Sequence, residues 1–229
     1  MNIASGILFA TLSLAALTGF SQTGVTSPDM KETKRYKPAD SVRNYNGGYN
    51  KLFAFVGEMI TVDQLPYQPG DFDESFKAKY RILQKVYGKF EGDTIEFLVF
   101  DHYGRPPFTR YKNVLLYVFA DSGTYVHEKY MYNHVYKTKD QKWAGPYDTR
   151  DYAHELNKHT TVKPVKLDFS EEVAIPLKGK LTKEEWKVYF PAPYYKLEAG
   201  KAIVVYGNYV EDLVKLKQGG FLKAREQHK

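Results

Sequence analysis

The strongest pattern in the sequence is a two-residue alternation between Phe76 and Val86. One parity is apolar and the other is cationic: Phe76, Ala78, Tyr80, Ile82 and Val86 alternate with Lys77, Lys79, Arg81 and Lys85. Because successive side chains of a β-strand point to opposite faces, this period indicates a strand with one face in a core and the other in water. The chain must therefore build a sheet whose second layer or own curvature covers one face.

Four other segments carry strand patterns, at 51–62, 94–101, 114–120 and 124–136. They are rich in β-branched and aromatic residues, and Gly57 interrupts the first where a bulge would fit. Five consecutive strands within about 90 residues favour a small closed barrel of the OB type. We predict a mainly β protein with a five-stranded antiparallel barrel over residues 51–138.

Residues 139–229 are expected to form a mixed α/β extension that packs on the barrel. Thr182 and Glu185 have the spacing of a capping box, which predicts the start of a helix. A second helix is indicated by apolar residues at helical spacing, at Val210, Leu213, Val214 and Leu216. The pair Gly219 and Gly220 is predicted to end that helix.

The N-terminal 22 residues contain an apolar run from Ile7 to Leu17 and no charged side chain. Small residues follow at Gly19 and Ser21, as in the cleavage site of a secretory signal. We predict a signal peptide over 1–22, a flexible segment over 23–50, and a secreted or periplasmic protein. No other stretch has the 18 apolar residues that a transmembrane helix requires, so none is expected.

The net charge of +6 comes from the two ends of the sequence rather than from its middle. Residues 31–43 and 212–229 each carry five basic and two acidic side chains, whereas residues 44–211 are close to neutral. Nucleic-acid binding is therefore not expected, because tracking of phosphates needs a basic surface. The sequence has no cysteine, which excludes thiolate catalysis, disulfides and cysteine-based metal sites.

Three segments resemble the netrin/TIMP-like (NTR) domain pattern: FVGEMITV at 55–62, FKAKYRILQKVYG at 76–88 and NVLLYVFA at 113–120. The likeness covers about residues 52–137. The chain also resembles uncharacterised exported bacterial proteins. The NTR likeness implies an NTR-like version of the OB barrel. The TIMP inhibitors of that family bind the protease zinc through an N-terminal cysteine, which this chain lacks, so the resemblance does not extend protease inhibition to it.

Two sets of residues are candidates for ligand binding. The basic stripe consists of Lys77, Lys79, Arg81 and Lys85, and it could hold an anionic ligand or serve as a solvated face. The aromatic ladder consists of Tyr130, Tyr132, His134 and Tyr136, predicted to share one strand face. Such a ladder could stack sugars or bases, or it could pack against the extension.

Catalytic and metal sites have weaker support. Asp101, His102 and Tyr103 lie at a strand end, where an imidazole near a carboxylate could act as a general base, although neighbouring strand residues point apart. The six histidines have no metal-ligand spacing, so no metal or other cofactor is expected. The sequence favours an exported, non-catalytic binding module for a protein or glycan of the cell envelope. The alternative is an exported hydrolase-like enzyme with its site between barrel and extension.

Overall fold

The computed structural model describes residues 51–67, 69–121 and 123–227. The predicted signal peptide at 1–22 and the predicted flexible segment at 23–50 lie outside the described residues. Within the described residues, barrel and extension belong to one compact unit. Within the described ranges, no helix has both the length and the apolar character needed to cross a membrane.

The first five strands close into a barrel, which confirms the predicted mainly β, OB-type architecture. They are β1 (Leu52–Gln64), β2 (Glu74–Tyr87), β3 (Thr94–Asp101), β4 (Asn113–Asp121) and β5 (Thr124–His134). Around the barrel the order is β1-β2-β3-β5-β4, and β4 pairs with β1 to close the ring.

One pair of neighbours in the barrel is parallel. β3 and β5 run in the same direction and pair at Leu98 and Val126, whereas the other four pairs are antiparallel. The prediction of a wholly antiparallel barrel was wrong in this respect. A closed ring with an odd number of strands cannot alternate direction all the way round, so five strands require one parallel pair.

The alternation in β2 sets the barrel interior, as predicted. Phe76, Ala78 and Tyr80 are buried inside the barrel, whereas Lys77 and Arg81 are exposed outside it. The register between β1 and β2 shifts at Gly57, which confirms the expected bulge. A Cβ atom at Gly57 would lie 2.8 Å from Cε2 of Phe55 and 3.1 Å from Cδ1 of Tyr80, so the absence of a side chain makes room for these rings.

The outer face of β1 and β4 is covered by the helix α3 (Val210–Lys217). Leu213 and Val214 of α3 belong to one buried cluster with Leu115 and Tyr117 of β4. This second layer explains why these two strands are apolar on both faces.

The helical segment does not end at Gly219 and Gly220, contrary to the prediction. A π-helical turn (Gln218–Leu222) joins α3 to a final helix α4 (Lys223–Gln227). A Cβ atom at Gly220 would collide with the buried side chain of Asn157. The glycine therefore permits a close approach between chain segments instead of acting as a helix stop.

The rest of the extension is mixed α/β, as predicted. One small sheet has the order β6-β7-β12-β8, from Tyr136–Lys137, Trp143–Pro146, Tyr206–Tyr209 and Val165–Lys166. The other has the order β10-β11-β9, from Tyr195–Glu198, Lys201–Val204 and Ala174–Pro176. The helices are α1 (Thr149–Ala153) and α2 (Lys183–Tyr189), and α2 begins with the predicted capping box at Thr182 and Glu185.

Candidate functional site

The basic stripe on the outside of β2 is paired with neighbouring acceptors. Glu96 of β3 lies 2.8 Å from Lys77 and 3.4 Å from Lys79, and Glu58 of β1 lies 3.5 Å from Arg81. The remaining member, Lys85, donates a hydrogen bond of 2.6 Å to the carbonyl of Phe90. These partners compensate much of the positive charge, so the geometry fits a solvated strand face better than an anion site.

The aromatic ladder is divided by a bulge in β5. The register with β4 shifts between Leu116 and Val118, and Tyr130 has a φ of 65°, in the left-handed region. As a result, Tyr130 lies beside Tyr103, with ring centroids 6.0 Å apart. Of the other three members, Tyr132 and His134 pack against Tyr111 of the loop before β4, and Tyr136 packs against His134. The structure therefore does not bring the four residues together.

His134 is held within this second group. Its ring stacks on Tyr111 at a centroid distance of 4.6 Å, and its Nδ1 lies 3.0 Å from the hydroxyl oxygen of Tyr136. Burial lowers the pKa of His134 to about 4, with Asp148 and Arg150 exerting smaller, opposite effects. Burial would raise the pKa of Asp148, but the charge and hydrogen bonds of Arg150 outweigh it and bring that pKa below its usual value. His134 is therefore neutral at physiological pH and serves packing.

The lowered pKa of His134 predicts a pH-dependent stability. The unfolded chain binds a proton at His134 below about pH 6.5, whereas the folded chain does so only near pH 4. The free energy of unfolding should therefore fall as the pH drops through this window, with a loss of up to about 3 kcal/mol. The substitution His134→Gln should remove this part of the loss. Urea unfolding at pH 7 and pH 4.5 measures the change in the free energy of unfolding. His159 is exposed, so His159→Gln is the matched control. Equal pH dependence in wild type and His134→Gln would contradict the assignment.

A cleft of ≈ 420 Å³ lies next to this group, between the barrel and the extension. Its lining includes the buried Val135, Trp143 and Val173 and the exposed Lys112 and Glu171. The alternative enzyme site was expected in this region. The described residues that line the cleft include no histidine, and they carry both acidic and basic side chains. The lining therefore has no imidazole that could act as the expected general base.

The side chains of Asp101 and His102, next to Tyr103, do not form an imidazole–carboxylate pair. Asp101 is buried, and its Oδ1 accepts a hydrogen bond of 2.8 Å from the backbone N–H of Tyr103. The imidazole of His102 turns the other way, where its Nδ1 lies 3.0 Å from the carbonyl oxygen of Phe72. Asp101 thus shapes the turn after β3, and His102 connects this turn to the loop between β1 and β2.

The same turn contributes to an exposed group of four rings at one end of the barrel, which we call the end cluster: Phe72, His102, Tyr103 and Tyr130. Phe72 stacks on His102 with centroids 4.3 Å apart and an interplanar angle of 11°. The rings of His102 and Tyr103 pack edge to face with centroids 5.3 Å apart, and the ring of Tyr103 also contacts that of Tyr130. Phe72 is 77% exposed, Tyr103 83% and Tyr130 48%. Contiguous exposed rings of this kind mark interaction sites.

A salt bridge and two cation–π contacts lie beside the rings of the end cluster. Lys129 pairs with Asp73 at 2.6 Å, and both side chains are largely buried. The ammonium group of Lys129 also lies 5.9 Å from the ring centroid of Phe72 and 5.2 Å from that of Tyr130. Cation–π attraction at these distances orients both rings. These contacts constrain the orientation of Phe72 and Tyr130.

The backbone around Tyr130 is fixed by the C-terminal helix. Glu128, two residues earlier in β5, is 1% exposed and forms an ion pair with Arg225 of α4. A non-glycine residue with a positive φ is uncommon, and such backbone strain persists only where the surroundings hold it. This conformation turns the Tyr130 ring away from the ladder and towards Tyr103.

Three of the four rings were predicted as site residues, but at two different sites. Phe72 and Lys129 were not predicted. Phe72 carried a detectable signal, because it is a large apolar residue between Asp71 and Asp73 in a turn-like segment. Its partner His102 is 30 residues away in the chain, so only the fold shows the contact. Within the described residues, no three His, Asp or Glu side chains converge as metal ligands.

Comparison with protein-family models, with curated proteins and with solved structures finds no match.

Proposed function

We propose that this chain is an exported, non-catalytic binding module that holds its ligand on the end cluster. The observation that carries the proposal is the exposure of Phe72, Tyr103 and Tyr130 in one contiguous, preorganised group. Exposed aromatic side chains forgo burial worth about 1.5–3 kcal/mol each, so a cluster of them is costly unless a ligand covers it. Export is inferred from the predicted signal peptide at 1–22.

The enzyme alternative would require a histidine paired with a carboxylate as general base. The imidazoles of His102 and His134 contact a carbonyl oxygen and a phenol oxygen instead of a carboxylate. Rings that are rigid and amphipathic lose little conformational entropy on binding, which is why tyrosine is common in recognition surfaces. A ligand can therefore bind to the end cluster without reorganising the barrel.

Substitution of the two most exposed rings should abolish binding without unfolding the protein. We expect Phe72→Ser/Tyr103→Ser to change the free energy of unfolding by less than about 1 kcal/mol, because both side chains are mainly in water. The wild-type chain, immobilised and exposed to a cell-envelope fraction of its host, should retain material that the double variant does not. Mass spectrometry and sugar analysis of the eluates measure the difference.

The chain offers a matched control on helix α2. Val188 and Tyr189 are 69% and 55% exposed and lie outside the end cluster, so Val188→Ser/Tyr189→Ser should retain the same material as the wild type. Equal retention by all three proteins would contradict binding at the end cluster. Loss of retention in the control alone would move the binding surface to α2.

A further inference from the structure

The charges around the end cluster restrict the chemistry of its ligand. Asp73 and Glu74 supply partly exposed carboxylates there, and the nearby cations are Lys129 and Arg105. Lys129 is already paired with Asp73, and Arg105 donates a hydrogen bond of 3.3 Å to the carbonyl of Val62. The surface therefore has no excess of positive charge, and it does not suit the phosphates of a nucleic acid or an anionic lipid surface.

The size and setting of the cluster favour a small polar ligand over a folded protein. A stable protein interface buries about 1,200–2,000 Å² with an apolar centre. Here four rings stand among carboxylates and backbone polar groups, and the neighbouring Tyr67 has its hydroxyl bonded to the carbonyl of Asp71 at 3.0 Å. The rings supply flat apolar faces, and their surroundings supply hydrogen-bond acceptors.

The ring planes form two surfaces that meet at a steep angle. Phe72 and His102 are nearly parallel, so His102 covers one face of Phe72, while the residue as a whole stays 77% exposed. The Tyr103 ring is inclined by 74° to that of His102 and by 40° to that of Tyr130. A sugar ring has an apolar C–H face that is attracted by the negative face of an aromatic ring, and hydroxyl groups at its edge that can donate to carboxylates.

We infer that the ligand of the end cluster is a neutral oligosaccharide, whose sugar rings stack on the exposed rings of Tyr103 and Phe72 while their hydroxyls bond to the carboxylates of Asp73 and Glu74. This inference rests on the proposed binding function and adds the ligand class to it. Loss of one stacking ring should weaken binding by about tenfold, which corresponds to about 1.4 kcal/mol.

The test uses the same envelope fraction, divided into three parts before capture by the immobilised chain. One part is digested with protease, one is oxidised with periodate, which cleaves vicinal diols of sugars, and one is left untreated. We expect capture to survive protease and 0.5 M NaCl, and to be lost after periodate. Neutral 1,4-linked hexasaccharides of glucose and mannose, whose 2,3-diols are open to periodate, then serve as defined probes, and at least one should bind tenfold or more weakly to Tyr103→Ala than to wild type and Tyr189→Ala.

The outcomes separate the two proposals. Capture that depends on Phe72 and Tyr103 but is destroyed by protease and resists periodate would overturn the glycan inference and leave the binding module intact. Capture that disappears in 0.5 M NaCl would overturn it in favour of an anionic ligand. Capture that does not depend on the end cluster at all would overturn both the inference and the proposed function.

Discussion

Tyr80→Ala is expected to lower the free energy of unfolding by about 3–5 kcal/mol, because it empties the centre of the barrel. Tyr80 is 0% exposed, and its ring lies 5.6 Å from that of Phe97 and 6.0 Å from that of Phe108. Its neighbour Lys79 is outside the barrel and pairs with Glu96 in an exposed salt bridge, so Lys79→Ala should change stability by no more than about 0.5 kcal/mol. Urea unfolding measures both.

A third variant separates the ring of Tyr80 from its hydroxyl group. Among the described residues, no polar atom accepts or donates a hydrogen bond at this buried hydroxyl. Because burial of an unsatisfied hydroxyl costs about 1–3 kcal/mol, Tyr80→Phe should leave stability unchanged or raise it. Equal midpoints for Tyr80→Ala and Lys79→Ala would contradict the barrel interior. A loss of several kcal/mol in Tyr80→Phe would show that the hydroxyl has a partner.

The second large effect is expected at the ion pair between helices α1 and α3 of the extension. Lys217 of α3 lies 2.6 Å and 2.7 Å from the carboxylate oxygens of Asp151 of α1, and both side chains are about nine-tenths buried. Lys217→Met would leave a buried carboxylate without this partner, which typically costs about 3–5 kcal/mol. The double variant Lys217→Met/Asp151→Leu should recover most of that loss, since it leaves no unpaired charge.

The same helix provides a matched control for the ion pair. Lys215 and Asp212 of α3 lie 2.9 Å apart in a pair that is open to water. Asp212→Ala should therefore cost less than about 1 kcal/mol, from weak pairing and the favourable position of an acid near a helix N-terminus. A cost for Lys217→Met as small as that for Asp212→Ala would mean that the Asp151 pair is solvated.

The barrel was largely predictable because its signal is local. Alternation in β2 assigns Tyr80 to the interior and Lys79 to the exterior without knowledge of any partner strand. The parallel pair could also have been deduced, because it follows from the count of five strands in a closed ring. What the sequence did not indicate is the bulge at Tyr130, since a left-handed backbone is usually marked by glycine or asparagine.

The candidate site was only partly predictable because it is built from distant segments. Phe72, His102 and Tyr130 come from three separate connections or bulges, and their assembly depends on strand order and on the parallel approach of β5 to β3. The partners of the basic stripe likewise depend on strand register, which places Glu96 opposite Lys79. The NTR resemblance rests on barrel strands and stays a prediction. The three segments that carry it, 55–62, 76–88 and 113–120, contain no residue of the end cluster.

Aromatic NMR spectra report directly whether ligand binds on the end cluster. The protein would be labelled in its phenylalanine and tyrosine rings and titrated with the material eluted from the wild-type capture column. We predict that the ring resonances of Phe72, Tyr103 and Tyr130 shift, while those of Tyr132 and Tyr136 in the ladder and of the neighbouring Tyr111 stay in place. Shifts confined to Tyr111, Tyr132 and Tyr136 would contradict binding on the end cluster and place the site between barrel and extension.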